Sequence, residues 1–113
     1  MNLAPSEAEI QRAIMDLLRV HRVFALRINS GAIPDKTGRP VFFARWMDGK
    51  PACGISDLVL LRDGRVTFME LKTAKGKQRK SQIEFEQWAL LAGARYVVVR
   101  SVEDAERWVR QRP

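Results

Sequence analysis

The sequence predicts an α/β domain in which helices flank a mixed central sheet, with elements in the order α-β-β-β-α-β-α. Three observations carry this. An apolar stripe of helical period opens the chain, two apolar runs flank a glycine-containing turn between Asp57 and Lys72, and a helical segment leads from there into a β-rich run at Arg95–Arg100. With 113 residues the chain has enough length for one core and little room for a second, so residues 1–113 are expected to form a single domain.

The first helix is expected from Glu7 to Val20, because Ile10, Ile14, Leu17 and Leu18 recur at helical spacing. Ser6 supplies an N-cap, with Glu9 at N3 closing a capping box. On the helical wheel Glu7 and Gln11 lie at the edge of the apolar stripe, whereas Glu9 points well away from it, so Glu7 is the acid aimed toward the sheet. His21 falls at the helix end beside Arg22, as a partner for the helix dipole or a surface residue.

Val23–Ile28 reads as the first strand. A long irregular segment follows through Cys53, punctuated by Pro34, Gly38, Pro40, Gly49 and Pro51. Within it Val41–Trp46 is an extra strand that carries aromatic residues, with Arg39 and Arg45, toward a substrate or a second subunit; the competing reading is that these aromatics complete a small core.

Asp57–Leu61 reads as a buried strand, Arg62–Arg65 as a tight turn and Val66–Lys72 as its antiparallel return. Beyond Lys72 a flexible basic run extends to Lys80. Ser81 is expected to cap the next helix with Glu84 at N3, with Ile83, Trp88 and Leu91 supplying apolar faces until Gly93 stops it. The Arg95–Arg100 strand is connected through that helix and should run parallel to the Glu70 strand. Ser101 then begins a short final helix with Asp104 at N3.

The hairpin concentrates the chemistry. It brings Asp57 near Glu70, while alternation sends Glu70 and Lys72 to one side and Leu71 to the other. Asp57, Glu70 and the backbone carbonyl of Leu71 form an oxygen set of the kind that Mg²⁺ or Mn²⁺ takes while keeping waters. Such an ion activates a bound water and neutralises charge on phosphorus, and Lys72 would position the nucleophile or stabilise the developing charge. The plainer reading of Glu70 and Lys72 alone is an exposed pair on a solvated strand.

Charge narrows the choice of partner. A net charge of +7 and a pI near 10.3 imply attraction to a polyanion, with nucleic acid the natural candidate, although basic charge alone also suits generic solvation or a ribosomal or membrane surface. Lys75, Lys77, Arg79 and Lys80 are placed to track a DNA backbone, and Arg27, Asn29 and Ser30 are candidate phosphate contacts by location. The single cysteine, Cys53, excludes an internal disulfide framework, and with the lone His21 it makes no zinc site. No apolar run reaches transmembrane length and no signal-peptide pattern opens the chain, so a cytoplasmic setting, bacterial or in a phage-infected host, is expected.

Gly54-Ile55-Ser56-Asp57, Glu70-Leu71-Lys72-Thr73, Lys75-Gly76, Gln82 and the late Val97-Val98-Val99-Arg100-Ser101 together resemble the VRR-NUC (virus-type replication-repair nuclease) domain of the PD-(D/E)xK superfamily. The resemblance runs from about Ser6 to Trp108. Its acid and lysine core is degenerate, but the glycine before Asp57, the Lys-Thr-x-x-Gly run and Gln82 narrow it. Ser56 departs from the proline in the superfamily's name, at a position that shapes the turn.

The resemblance implies a restriction-endonuclease-like core and a metal-dependent DNA endonuclease of replication, recombination or repair. It implies that Glu7 contributes an acid from the first helix, with Gln11 one turn on, and that Gln82 joins the active-site set by contacting a catalytic residue or the scissile phosphate. Without the resemblance, Glu7 is equally a complement to the helix dipole. Small stand-alone members resemble Holliday-junction resolvases, which cut branched DNA as homodimers. A non-catalytic or partner-activated DNA-binding module, a flap nuclease and a restriction-type nuclease remain the alternatives.

Overall fold

The first helix forms where its caps and stripe place it. In the computed structural model, which describes residues 5–28, 32–42 and 44–111, α1 spans Glu7–Val20. The Ser6 hydroxyl accepts the Glu9 N–H at 3.2 Å, and the Glu9 carboxylate reaches back to Ser6. The buried residues are Ile10, Ile14 and Leu18, and His21 is the C-cap.

Then follow β1 (Phe24–Arg27), β2 (Ala32–Pro34), β3 (Pro40–Phe42), β4 (Leu58–Arg62), β5 (Arg65–Leu71), α2 (Lys80–Leu91), β6 (Arg95–Val99) and α3 (Val102–Arg110). The main sheet has the order β1-β4-β5-β6. β1 pairs antiparallel with β4, β4 with β5, and β5 runs parallel to β6. The α/β architecture and the mixed central sheet are as expected. The β4–β5 turn is built on Asp63 (φ 54) and Gly64 (φ 73), two consecutive left-handed residues that match the twist of the flanking strands.

Alternation divides the sheet. One face carries Leu58, Leu60, Met69, Leu71 and Val99 into the core with Ile10, Ile14 and Leu18 of α1 and Ala105, Trp108 and Val109 of α3. The other face carries Val59, Phe68 and Tyr96 toward α2, whose Phe85 meets Phe68 edge-on at 5.0 Å between ring centroids. The Arg62 guanidinium lies over the Trp108 ring at 3.9 Å and donates to the carbonyls of Trp108, Val109 and Gln111. It thereby closes the end of α3, where helix carbonyls otherwise lack partners.

Four expectations change. The first strand is shorter than Val23–Ile28, because Val23 turns inward as part of the helix–strand corner and donates to Leu18. The extra strand shrinks to β3, which among the described residues pairs with β2 alone. Phe43 lies outside the described residues, and beyond it Arg45 makes a single bridge to Pro51.

Helix α2 begins one residue before Ser81. Arg79 is its N-cap and Gln82, not Glu84, stands at N3, its Oε1 accepting the Arg79 N–H at 2.7 Å. The buried face of α2 is Phe85 and Ala89, whereas Ile83, Trp88 and Leu91 are exposed. One helical turn separates Phe85 from Ala89, which puts the two buried residues of α2 on one side of the helix.

Finally, the basic run after Lys72 is braced rather than free. Gly76 N–H returns to the Thr73 carbonyl at 3.0 Å, and the Arg100 guanidinium donates to the carbonyls of both Thr73 and Gly76. Among the described residues, no helix is long and apolar enough to cross a membrane.

Candidate active site

The site is assembled at the sheet end where β4 begins and β5 finishes. The ladder pairs Val59 with Phe68 and Leu58 with Met69, so one step further Asp57 stands opposite Glu70. By alternation Asp57, Glu70 and Lys72 share the α2 face.

The Asp57 Oδ2 accepts the Leu71 N–H at 2.7 Å, and the Asp57 carbonyl accepts the Ile28 N–H at 2.9 Å. Asp57 is thus tied to the strands on both sides. Within a strand residue N–H and C=O point toward the same neighbour, so the Leu71 carbonyl also faces the Asp57 side.

The approach to Asp57 is shaped by Gly54 and Ser56. Gly54 has φ +75, and a Cβ there would sit 2.3 Å from the Ser81 backbone carbon and oxygen and 2.6 Å from the Gln82 nitrogen. The loop therefore lies directly against the first turn of α2. Ser56 is buried and its hydroxyl donates to the Leu58 carbonyl at 3.0 Å, which closes the turn that leads into β4.

A cleft of about 330 Å³ opens over this corner, lined by Glu7, Phe42, Cys53, Asp57, Lys72, Arg79 and Gln82, among others. Glu7 comes from the first turn of α1, Asp57 from the start of β4, Lys72 from just past β5, and Gln82 from the first turn of α2. The Gln82 carbonyl oxygen accepts the Arg79 N–H, and its amide nitrogen is the group that can donate. A larger cleft of about 590 Å³ lies at the far end of the sheet around His21, Arg22 and Arg62. It contains none of the predicted site residues.

Glu70 sits deeper. It is 0% exposed, it does not line the cleft, and among the described residues neither carboxylate oxygen has a hydrogen-bond partner. Burial pushes its carboxyl up from the usual 4.5. The Tyr96 hydroxyl, the Lys72 charge and the Gln78 side chain pull the other way, and the Asp57 charge adds to the rise. Neither Tyr96 nor Gln78 closes a hydrogen bond on it, and the Gln78 amide donates instead to Glu86 at 3.0 Å.

A buried carboxylate with two orphaned oxygens, opposite a strand-anchored aspartate and beside a backbone carbonyl, fits a hard divalent cation. The donors are two carboxylates and a carbonyl, and among the described residues no group of three or more His, Cys, Asp or Glu is placed to hold a metal.

The remaining predicted residues divide by position. Arg79 lines the cleft. Lys75, Lys77 and Lys80 are exposed along the approach to α2, and Arg27 is exposed at the end of β1 nearest Asp57. Asn29 and Ser30 lie outside the described residues. Gln11 is half-buried one turn along α1 from Glu7.

The sequence reading missed Gln78, Tyr96 and the bracing role of Arg100. Tyr96 had a signal, since a parallel strand beside β5 must send alternate side chains toward Glu70, but the register that selects Tyr96 is not written locally. The aromatic loop also resolves: Trp46 packs within 6.1 Å of Phe85, and Phe42 is half-buried at the cleft wall.

A solved structure titled "VRR_NUC domain" superposes on this chain with a TM-score of 0.64, covering 95% of this chain and 97% of that one at 17% identity. The chain has the fold of a VRR_NUC domain. No protein-family model and no curated protein sequence matches it. In this chain the VRR_NUC-type fold gathers the start of β4, the end of β5 and the first turns of α1 and α2 around one cleft.

Proposed function

We propose that this protein is a divalent-metal-dependent DNA endonuclease that hydrolyses phosphodiester bonds with water as nucleophile. The observation that carries this is the convergence of Glu7, Asp57, Lys72 and Gln82 on one cleft, with the Glu70 carboxylate, unpartnered among the described residues, buried across the ladder from Asp57. Asp57, Glu70 and the Leu71 carbonyl would hold Mg²⁺ or Mn²⁺, which when bound supplies an activated water and charge neutralisation at phosphorus.

The chain's own groups do the rest. Lys72 stabilises charge developing on the phosphate oxygens, Gln82 donates its amide to the scissile phosphate, and Glu7 would accept hydrogen bonds in the cleft from the α1 side, where it could help orient the attacking water. The exposed lysines of the braced 73–80 segment position the DNA backbone, and a net charge of +7 draws it in.

The substrate is branched DNA, cut by a homodimer in the manner of a Holliday-junction resolvase, in a bacterial or phage-infected cytoplasm. Support for two copies comes from the α2-side face of β1 and β4, where α2 gives no cover and Phe24, Leu26 and Leu61 remain 60%, 57% and 45% exposed. Apolar patches of this kind mark interaction surfaces. One observation favours a second reading, a module activated only by a partner: Glu70 is fully buried and does not line the cleft.

The test is cleavage of four-way junction, flap, single-stranded and linear duplex DNA with Mg²⁺, Mn²⁺ or EDTA, with Asp57→Ala as the inactive control. Metal-dependent, paired symmetric nicks in the junction are expected. Tight binding without cutting under any metal would support the partner-activated module instead.

Charge reversal at Lys75, Lys77 and Arg79 separates binding from chemistry. Because neutralising backbone phosphates releases counterions, the triple variant should bind DNA more weakly and with a shallower salt slope, by about one unit for each phosphate it no longer neutralises. Turnover by the Lys75 and Lys77 reversals at saturating DNA should be close to wild type; an equal fall in turnover and affinity would contradict that division.

A further inference from the structure

Two buried polar groups on the α2 face of the sheet lack hydrogen-bond partners among the described residues: the Glu70 carboxylate, at both oxygens, and the Tyr96 hydroxyl. In the parallel β5–β6 pair Phe68 lies beside Tyr96 and Glu70 beside Val98. Tyr96 therefore stands diagonally across from Glu70 on the same face, within reach for a long side chain. Each group bears on the other's proton affinity, as neighbours must. The Tyr96 ring lies against Phe85 at 6.3 Å between centroids, so its apolar body is packed and its hydroxyl is the unsatisfied end.

A carboxylate offers about four lone-pair sites. A cation facing Asp57 and the Leu71 carbonyl would use only those on its own side, and the inner oxygen of Glu70 would stay buried and in need of a donor. The Gln78 amide already donates to Glu86, whereas the Tyr96 proton has no acceptor. Ligating carboxylates are in general hydrogen-bonded by a group behind them.

We propose that Tyr96 is a positioning residue of the metal site, its hydroxyl donating to the inner oxygen of Glu70 when a divalent cation engages the carboxylate. The hydrogen bond fixes the carboxylate plane so that the outer oxygen points toward Asp57. This rests on the metal-dependent nuclease reading above.

Tyr96 is the only tyrosine of the chain, so a tyrosine label at the ring carbon bearing the hydroxyl gives one NMR resonance to follow during a Mg²⁺ titration. The resonance should shift with Mg²⁺ in the wild type and stay still in Glu70→Gln. By calorimetry, Tyr96→Phe should bind Mg²⁺ about tenfold to a hundredfold more weakly while unfolding at the wild-type temperature.

A wild type that binds no Mg²⁺, or a Glu70→Gln variant that binds it normally, overturns the metal reading and this inference together. Loss of binding in Glu70→Gln with an unmoved tyrosine resonance and normal affinity in Tyr96→Phe overturns only the role of Tyr96. Should Tyr96→Phe fold poorly, the wild-type resonance decides alone.

Discussion

Gly54→Ala is expected to destabilise the fold by about 2 to 5 kcal/mol, from left-handed backbone strain and overpacking combined. The added methyl would meet the Ser81 backbone at 2.3 Å, and backbone within a helix turn cannot rotate aside as a side chain can. The backbone at φ +75 adds a strain that L side chains rarely bear. Against a typical total of about 5 to 15 kcal/mol, the loss is large.

Gly64→Ala is the matched comparison. Gly64 is also left-handed, at φ +73, but nothing lies within 4 Å of its missing Cβ, so the cost should fall to about 1 to 2 kcal/mol. Urea unfolding of both variants separates strain from collision. Equal losses would mean that the loop does not lie against α2, and Gly54 would then have no part in setting Asp57 against Gln82. Where Gly54→Ala remains folded, cleavage should still fall, because the methyl pushes apart the two segments that carry Asp57 and Gln82.

The approach of Gly54 to α2 shows what was legible in the sequence. The β4–β5 hairpin could be read because its turn chemistry, Asp63-Gly64, and its alternation agree, and with the hairpin came the facing of Asp57 and Glu70. The caps of α1 and α3 were equally local, since Ser6 and Ser101 accept hydrogen bonds from residues three positions on. That Gly54 touches Ser81 was not readable, because a glycine's neighbours are set by tertiary approach.

The start of α2 was misjudged for a related reason. Ser81 is the better intrinsic cap, but Gln82 reaches back to the Arg79 N–H and starts the helix earlier. The outer faces of α2 likewise mislead. Ile83, Trp88 and Leu91 outnumber Phe85 and Ala89, yet only Phe85 finds an aromatic cluster, formed by Phe68, Tyr96 and Trp46. That cluster depends on strand order and on a loop from far earlier in the chain, neither of which periodicity reports.

Glu70→Gln should move activity and stability in opposite directions. Cleavage should fall about a thousandfold or more, since a metal-ligating carboxylate acts through several kcal/mol of transition-state stabilisation. The metal-free protein, in contrast, should become more stable at neutral pH, by about 1 to 3 kcal/mol, because the amide keeps the polar group but removes an unpaired buried charge.

The pH dependence gives the sign. Burial raises the Glu70 carboxyl above its usual 4.5, so the folded state holds that proton more tightly than the unfolded chain does. Its favourable contribution is complete below that usual value and is lost as pH rises through the raised one. In EDTA the wild type should therefore lose stability from mildly acidic toward neutral pH, and Glu70→Gln should lose less.

Added Mg²⁺ should reverse the ranking, because a ligand that binds only the folded state stabilises it by mass action, and the variant lacks the carboxylate proposed to hold it. Thermal unfolding of both proteins across that pH range, with EDTA and then with Mg²⁺, measures all of this. A variant less stable than wild type in EDTA at neutral pH would mean that Glu70 is not an unpaired buried charge, and the proposed metal site would lose the unpartnered carboxylate on which it depends.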